Sequence, residues 1–318
     1  MNYDVFNGDA DGIIALLQLQ LANPTESKKI TGVKRDIQLL KQVDAKADDN
    51  IRVLDISMEK NLEALHKCLE TGAHVFYVDH HRAGDIPQND KLEAHIDLDA
   101  NTCTSLIVSD LLEKQYHLWA ITAAYGDNMI ATADIEADKL DLSQEQKEKL
   151  KALGIYINYN GYGSSVEDLH FHPAALFEIL LDYSSPLDLI DQKDSIFYQL
   201  ETLYSADMAK AQAAEVLYET DAVKVILLEN AAWARRVSGV LGNDLANQSP
   251  DKAHAVLTYH QESGYTVSIR APLNNKQGAD KVVCQFATGG GRAAAAGINQ
   301  LSEDELTRFY QVFEDYYA

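Results

Sequence analysis

Carboxylates and imidazoles recur in this sequence where apolar runs end. "NGDADG" places Asp9 and Asp11 one residue apart, next to Asn7 and between Gly8 and Gly12. "LDIS" offers Asp55, "VDHH" offers Asp79, His80 and His81, and "YGDN" offers Asp127. A tight turn needs only one Asp or Asn beside glycine, so the second acid of the pair calls for another explanation. Clustered unpaired carboxylates raise one another's pKa, and a divalent cation removes that conflict. Oxygen and imidazole donors without thiolates suit Mn²⁺ or Mg²⁺ rather than structural zinc. Two such ions about 3.5–4 Å apart would activate a water and stabilise the leaving oxygen of a phosphoester. Taken singly, each group has a plainer reading, as a turn, a helix start or an incidental histidine. A calcium loop is excluded: its twelfth position would be Gln18 instead of Glu, and a strand precedes it, not a helix.

An α/β framework is expected to position these groups. Asn2 to Phe6 reads as a strand and Gly12 to Leu21 as a helix with an apolar face. Ile30 to Lys34 is a weak strand, and Ile51 to Ile56 a better one. Ser57 is placed to cap a helix over Glu59 to Thr71, stopped by Gly72. Ala73 to Val78 is another strand, and helices follow over Thr102 to Lys114 and His117 to Tyr125. The alternation predicts a parallel sheet with helices on both faces. Ser143 with Gln146 forms a capping box, Gly154 is expected to close that helix, and Pro173 opens another. Ser195 to Glu219 reads as long helical runs. Strands then return over Val223 to Leu228, His254 to Tyr259 and Tyr265 to Arg270. Helices are expected over Ala234 to Ala246 and, opened by Ser302 with Glu305, to Tyr317. In open α/β sheets ligands bind beyond the carboxyl ends of strands, which is where the acids and histidines fall.

The chain has 318 residues and a net charge of −22. From Ala222 onward nine basic residues meet ten acidic ones, so nearly all of that charge lies in Met1 to Asp221. Such a surface repels a long polyanion, which favours a small ligand or short oligomer over duplex DNA. No apolar stretch is long enough for a membrane helix, and no secretory signal is visible. Cys68, Cys103 and Cys284 are too few and too scattered for a disulfide framework, which fits a reducing, cytoplasmic setting.

In order, "NGDADG", "LDIS", "VDHH", "GDN" and a late "TGGGRAAAAGI" resemble the motifs of the DHH phosphoesterase superfamily with its C-terminal DHH-associated domain. The resemblance covers nearly the whole chain. It implies a DHH catalytic domain over 1–198, a helical linker over 199–221 and a smaller α/β substrate-binding domain over 222–318, with the active site in the cleft between. It also implies two divalent ions, Mn²⁺ ahead of Mg²⁺. Asp9 and Asp11 match acids that each hold a different metal, Asp55 the acid that bridges both, and His80 and Asp127 partners on one metal. His81 matches the histidine that contacts the phosphate and protonates the leaving group. Asp79 orients a histidine. Gly289, Gly290, Gly291, Arg292 and Arg270 match substrate-holding positions.

There are two departures from the motifs. Many relatives have a histidine four residues before the first acid, where Val5 stands here, and RecJ-like members carry Asp in place of Asn7, which offers only a weaker, neutral oxygen. Arg292 stands where a histidine is common, and would bring a bidentate fork to a terminal phosphate. A glycine loop beside a helix start would let backbone N–H groups approach an anion. The expected activity is metal-dependent hydrolysis of small nucleotidic phosphoesters: short oligonucleotides, linear or cyclic dinucleotides, or pAp. Short single strands are within reach, and neither duplex DNA nor a membrane is an expected partner. The oligomeric state stays open. The alternative is a non-catalytic nucleotide-binding protein that retains the fold.

Overall fold

The computed structural model describes residues 1–260 and 262–318. The chain divides into two units, Met1–Thr202 and Leu203–Ala318. In the first, β1 (Asn2–Phe6), β2 (Lys28–Ile30), β3 (Asn50–Leu54), β4 (His74–Asp79) and β5 (Leu92–Ile96) form a sheet in the order β2-β1-β3-β4-β5. All its pairings are parallel. The strand alternation sends side chains to two cores. Val5, Val53, Val75 and Tyr77 point into one, packed with Leu65 and Leu69 of α2 (Met58–Glu70). Phe6, Leu54 and Val78 point into the other.

That second core is built around α1 (Ala10–Ala22), whose Ile13, Ile14, Leu16 and Leu17 are wholly buried. Each such side chain contributes about 1.5–3 kcal/mol. α3 (Thr104–Leu111), α4 (His117–Gly126), α5 (Ile130–Asp138), α6 (Gln144–Asn160), α7 (Pro173–Leu180), α8 (Pro186–Asp191) and the start of α9 (Ile196–Ala211) complete it. The Ser143–Gln146 capping box is present. Gly154, however, does not end α6. It lies mid-helix where α6 crosses α4, so close that a Cβ there would stand 2.1 Å from the carbonyl oxygen of Thr122.

The second unit holds β6 (Glu215–Glu219), β7 (Val223–Leu227), β8 (Ala253–Tyr259), β9 (Tyr265–Arg270), β10 (Gly289–Gly291) and β11 (Ala295–Leu301), in the order β10-β11-β9-β8-β7-β6. Among the described residues of this unit, only β7 and β8 pair in parallel. α10 (Ala232–Gln248), α11 (Ala279–Val283) and α12 (Leu306–Tyr317) accompany it. Four further local expectations differ. The weak strand expected over Ile30 to Lys34 ends at Ile30. Ser57 does not cap α2; its hydroxyl donates to the Arg82 carbonyl. The helical run expected to Glu219 stops at Ala211 and yields to β6. Ser302 opens a 3₁₀ turn before α12 rather than α12 itself.

Candidate metal centre

The sheet's connections reverse direction between β1 and β3, and such a switch point leaves a crevice at the strands' carboxyl ends. The turn after β1 delivers Asn7, Asp9 and Asp11. Asp9 caps α1, its Oδ1 accepting the Gly12 N–H at 3.0 Å. Asp11, in the first turn of α1, reaches across to the start of α3, where its two oxygens accept the N–H groups of Thr104 (2.8 Å) and Ser105 (2.7 Å). Unpaired N–H groups at a helix N-terminus favour a carboxylate there. Asp55 follows β3 with a left-handed backbone, φ 58°, and its Oδ1 accepts the Thr104 hydroxyl at 3.1 Å.

β4 brings the histidines. His80 Nδ1 lies 3.0 Å from the carbonyl oxygen of Thr102. A carbonyl can only accept, so Nδ1 carries the proton and the Nε2 lone pair faces the acids. Nε2 stands 3.5 Å from Asp55, 3.8 Å from Asp11 and 3.9 Å from Asp127. Asp127 arrives directly after α4. His81 turns its Nδ1 to Asp79 Oδ1 at 2.7 Å. Two groups of potential ligand atoms result, Asp55–His80–His81 and Asp11–His80–Asp127, each within 4.8 Å and sharing His80. Burial, and after it the charges of Asp9, Asp11, Asp127 and Asp79, push the Asp55 carboxyl well above its ordinary pKa. Buried acids that oppose one another around a correctly presented imidazole fit a divalent cation.

Lys34, a residue the motifs do not mark, enters the same cluster. Its ammonium donates to Asp9, to Asp127 Oδ1 at 3.0 Å and to Asn158 Oδ1 at 3.2 Å. Burial works against its charge, but Asp127 and Asp9 outweigh that and hold its pKa well above the usual lysine value. Asn7 spends its amide locally: Oδ1 accepts the Asp9 N–H and Nδ2 donates to the Lys34 carbonyl, both at 3.2 Å. Nothing in composition or spacing singles out Lys34, since its partners come from segments far away in sequence. Thr104 and Ser105 are legible in sequence only as a helix start.

In the second unit, Gly289–Gly291 forms strand β10 paired antiparallel with β11, and no helix begins beside it. The expected helix-flanked anion loop is therefore a hairpin edge. Gly291 needs its φ of 145°, and a Cβ on Gly289 would strike the Val283 carbonyl oxygen, whereas Gly290 faces open space. Arg292 is exposed at the hairpin turn. Arg270 ends β9, where its guanidinium donates to Asn243, to Ser268 Oγ (3.1 Å), to the Ile269 carbonyl (3.0 Å) and to the Gly239 carbonyl (3.1 Å). Four bonds tie it to β9 and α10.

No protein-family model and no curated protein matches the chain. Solved structures do. A pGpG-specific phosphodiesterase, PggH from Vibrio cholerae, is 14% identical with a TM-score of 0.53, covering 99% of this chain and 100% of its own. Exonuclease RecJ bound to manganese is 16% identical with a TM-score of 0.52, covering 99% and 89%. RecJ in complex with Mn²⁺ from Thermus thermophilus is 15% identical with a TM-score of 0.53; the match covers 99% of this chain but about half, 52%, of that one. Over its whole length, the chain therefore has the fold of the DHH-family phosphoesterases.

Proposed function

We propose that this chain is a divalent-metal-dependent phosphoesterase acting on small nucleotidic substrates. The observation that carries the reading is His80. Its Nε2 lies within 3.9 Å of carboxylates from three separate segments, with the ring fixed by Thr102 from behind. Asp11, Asp55, His80 and Asp127 would hold the ion. Mn²⁺, the ion named for the RecJ structures, suits these oxygen and imidazole donors better than zinc.

A bound ion would polarise a phosphoryl oxygen and lower the pKa of a water. The remaining work belongs to side chains. Asp79 holds the Nδ1 proton of His81, which leaves Nε2, on a side chain 31% exposed, to pass a proton to the departing ester oxygen. Linear dinucleotides, the class named for PggH, fall among the substrates, with cyclic dinucleotides, short oligonucleotides and pAp. In the second unit, Arg292 with Gly289, Gly290 and Gly291 would hold the substrate's terminal phosphate. Arg270, at the end of β9, would be the second arginine to contact the substrate.

The test is turnover by purified protein with Mn²⁺ of a generic phosphodiester and of a panel of dinucleotides, pAp and short single strands. Asp55→Asn should abolish it. Silence across the panel, with retained nucleotide binding, would favour the non-catalytic alternative.

A further inference from the structure

The carboxylate cluster already contains a cation. All three N–H groups of the Lys34 ammonium meet acceptors, on Asp9, Asp127 and Asn158. The main chain around it is equally fixed. The Lys34 N–H donates to the Gly161 carbonyl at 2.8 Å, and its own carbonyl accepts from Asn7 Nδ2. The loops meet through glycines: a Cβ on Gly8 would lie 1.8 Å from the Gly32 carbonyl oxygen, and one on Gly161 would lie 3.0 Å from Asp9 Cα. Asn7, a neutral amide in the place of an acid, is what allows one side chain to accept from Asp9 and donate to Lys34 at once. Val5 is wholly buried in an apolar core and offers no ligand.

We propose that Lys34 is a resident cation standing in for one of the two metal ions, so that this chain binds a single divalent ion, on Asp11, Asp55, His80 and Asp127. The proposal rests on the phosphoesterase reading. Asp9 commits one oxygen to capping α1 and the other to Lys34. A second divalent ion on Asp9 would have to displace the ammonium from its Oδ2, whereas Asp127 gives Lys34 only Oδ1 and turns Oδ2 to His80 at 3.9 Å. Of the four remaining ligands, His80 Nε2 lies within 3.9 Å of the other three, and the two groups of potential ligand atoms share it. With its three N–H groups consumed, Lys34 is a positioning residue that neutralises Asp9 and fixes Asp127.

The experiment titrates Mn²⁺ into the chelator-stripped full chain, with metal analysis after dialysis and electron paramagnetic resonance of the bound ion. One ion per chain is expected, with the hyperfine pattern of isolated Mn²⁺. Asp9→Asn, which still caps α1, should keep one ion with affinity within about threefold, while Asp11→Asn should lose about 100-fold. Lys34→Met should admit a second, weaker ion. Two ions in the wild type, an exchange-coupled spectrum, or an Asp9→Asn loss beyond about tenfold would overturn the proposal. One ion without turnover would sink the phosphoesterase reading and leave this inference standing. Turnover with two ions would do the reverse, and no bound ion would sink both.

Discussion

Asp79 is wholly buried, and its Oδ1 lies 2.7 Å from Nδ1 of the partly exposed His81. The other carboxylate oxygen, Oδ2, is buried without a hydrogen-bond partner among the described residues. The acid's charge is thus directed at the imidazole, where it holds the ring in the orientation and tautomer that leave Nε2 to the substrate. Asp79→Asn keeps the shape and removes that charge. For an ester with a poor leaving group, such as a ribose alkoxide, kcat should fall about 10²–10⁴-fold, with KM and the Mn²⁺ count little changed. For a p-nitrophenyl ester, whose leaving group needs no proton, the loss should be far smaller. Equal losses on both esters would mean that Asp79 only supports the fold.

Gly154 acts on the site from the far side of α4. A Cβ at this position would stand 2.1 Å from the Thr122 carbonyl oxygen and 2.8 Å from the Gly126 nitrogen. Gly126 is the last residue of α4, and Asp127 follows it. Gly154→Ala should push the two helices apart at a cost of about 1–3 kcal/mol and displace Asp127 with the end of α4. The expected result is a lower melting temperature together with Mn²⁺ affinity weakened about tenfold. Lowered stability with unchanged affinity would show that Asp127 keeps its place without this crossing.

The part of the site that can be read in sequence is the part carried by strand ends. Asp9, Asp11, Asp55, Asp79, His80 and His81 each follow an apolar run, and a parallel sheet brings the carboxyl ends of its strands to one edge. Asp127 follows a helix, and its convergence depends on how α4 packs. Lys34 is hidden for the same reason: its acceptors lie 25, 93 and 124 residues away, and no local period encodes such closure. Gly154 misleads because a glycine at a helix stop and a glycine at a helix crossing look alike in sequence. The crossing shows only through the neighbour it admits. β5 does carry the mark of a half-buried strand, with Leu92, Ala94 and Ile96 alternating with Glu93 and His95 and packing on the core; β6 is largely exposed and shows no such alternation.

His254 lies buried on β8, in register with Lys224 on β7 and Arg270 on β9. Burial, helped by Lys252 and Lys224 and resisted by Glu219, lowers its pKa from 6.5 to about 4. The unfolded chain therefore binds a proton that the folded unit rejects between those values, so stability falls as pH drops through this window and levels off below it. His254→Leu removes the titration. Relative to wild type, the variant should gain about 2 kcal/mol on going from pH 7 to pH 4.5. The measurement is hydrogen exchange at the β8 amides, variant against wild type at each pH, which reports the second unit by itself. A difference that does not change with pH would show that His254 is protonated in the folded chain, with its charge satisfied among Lys224, Lys252 and Arg270 by Glu219.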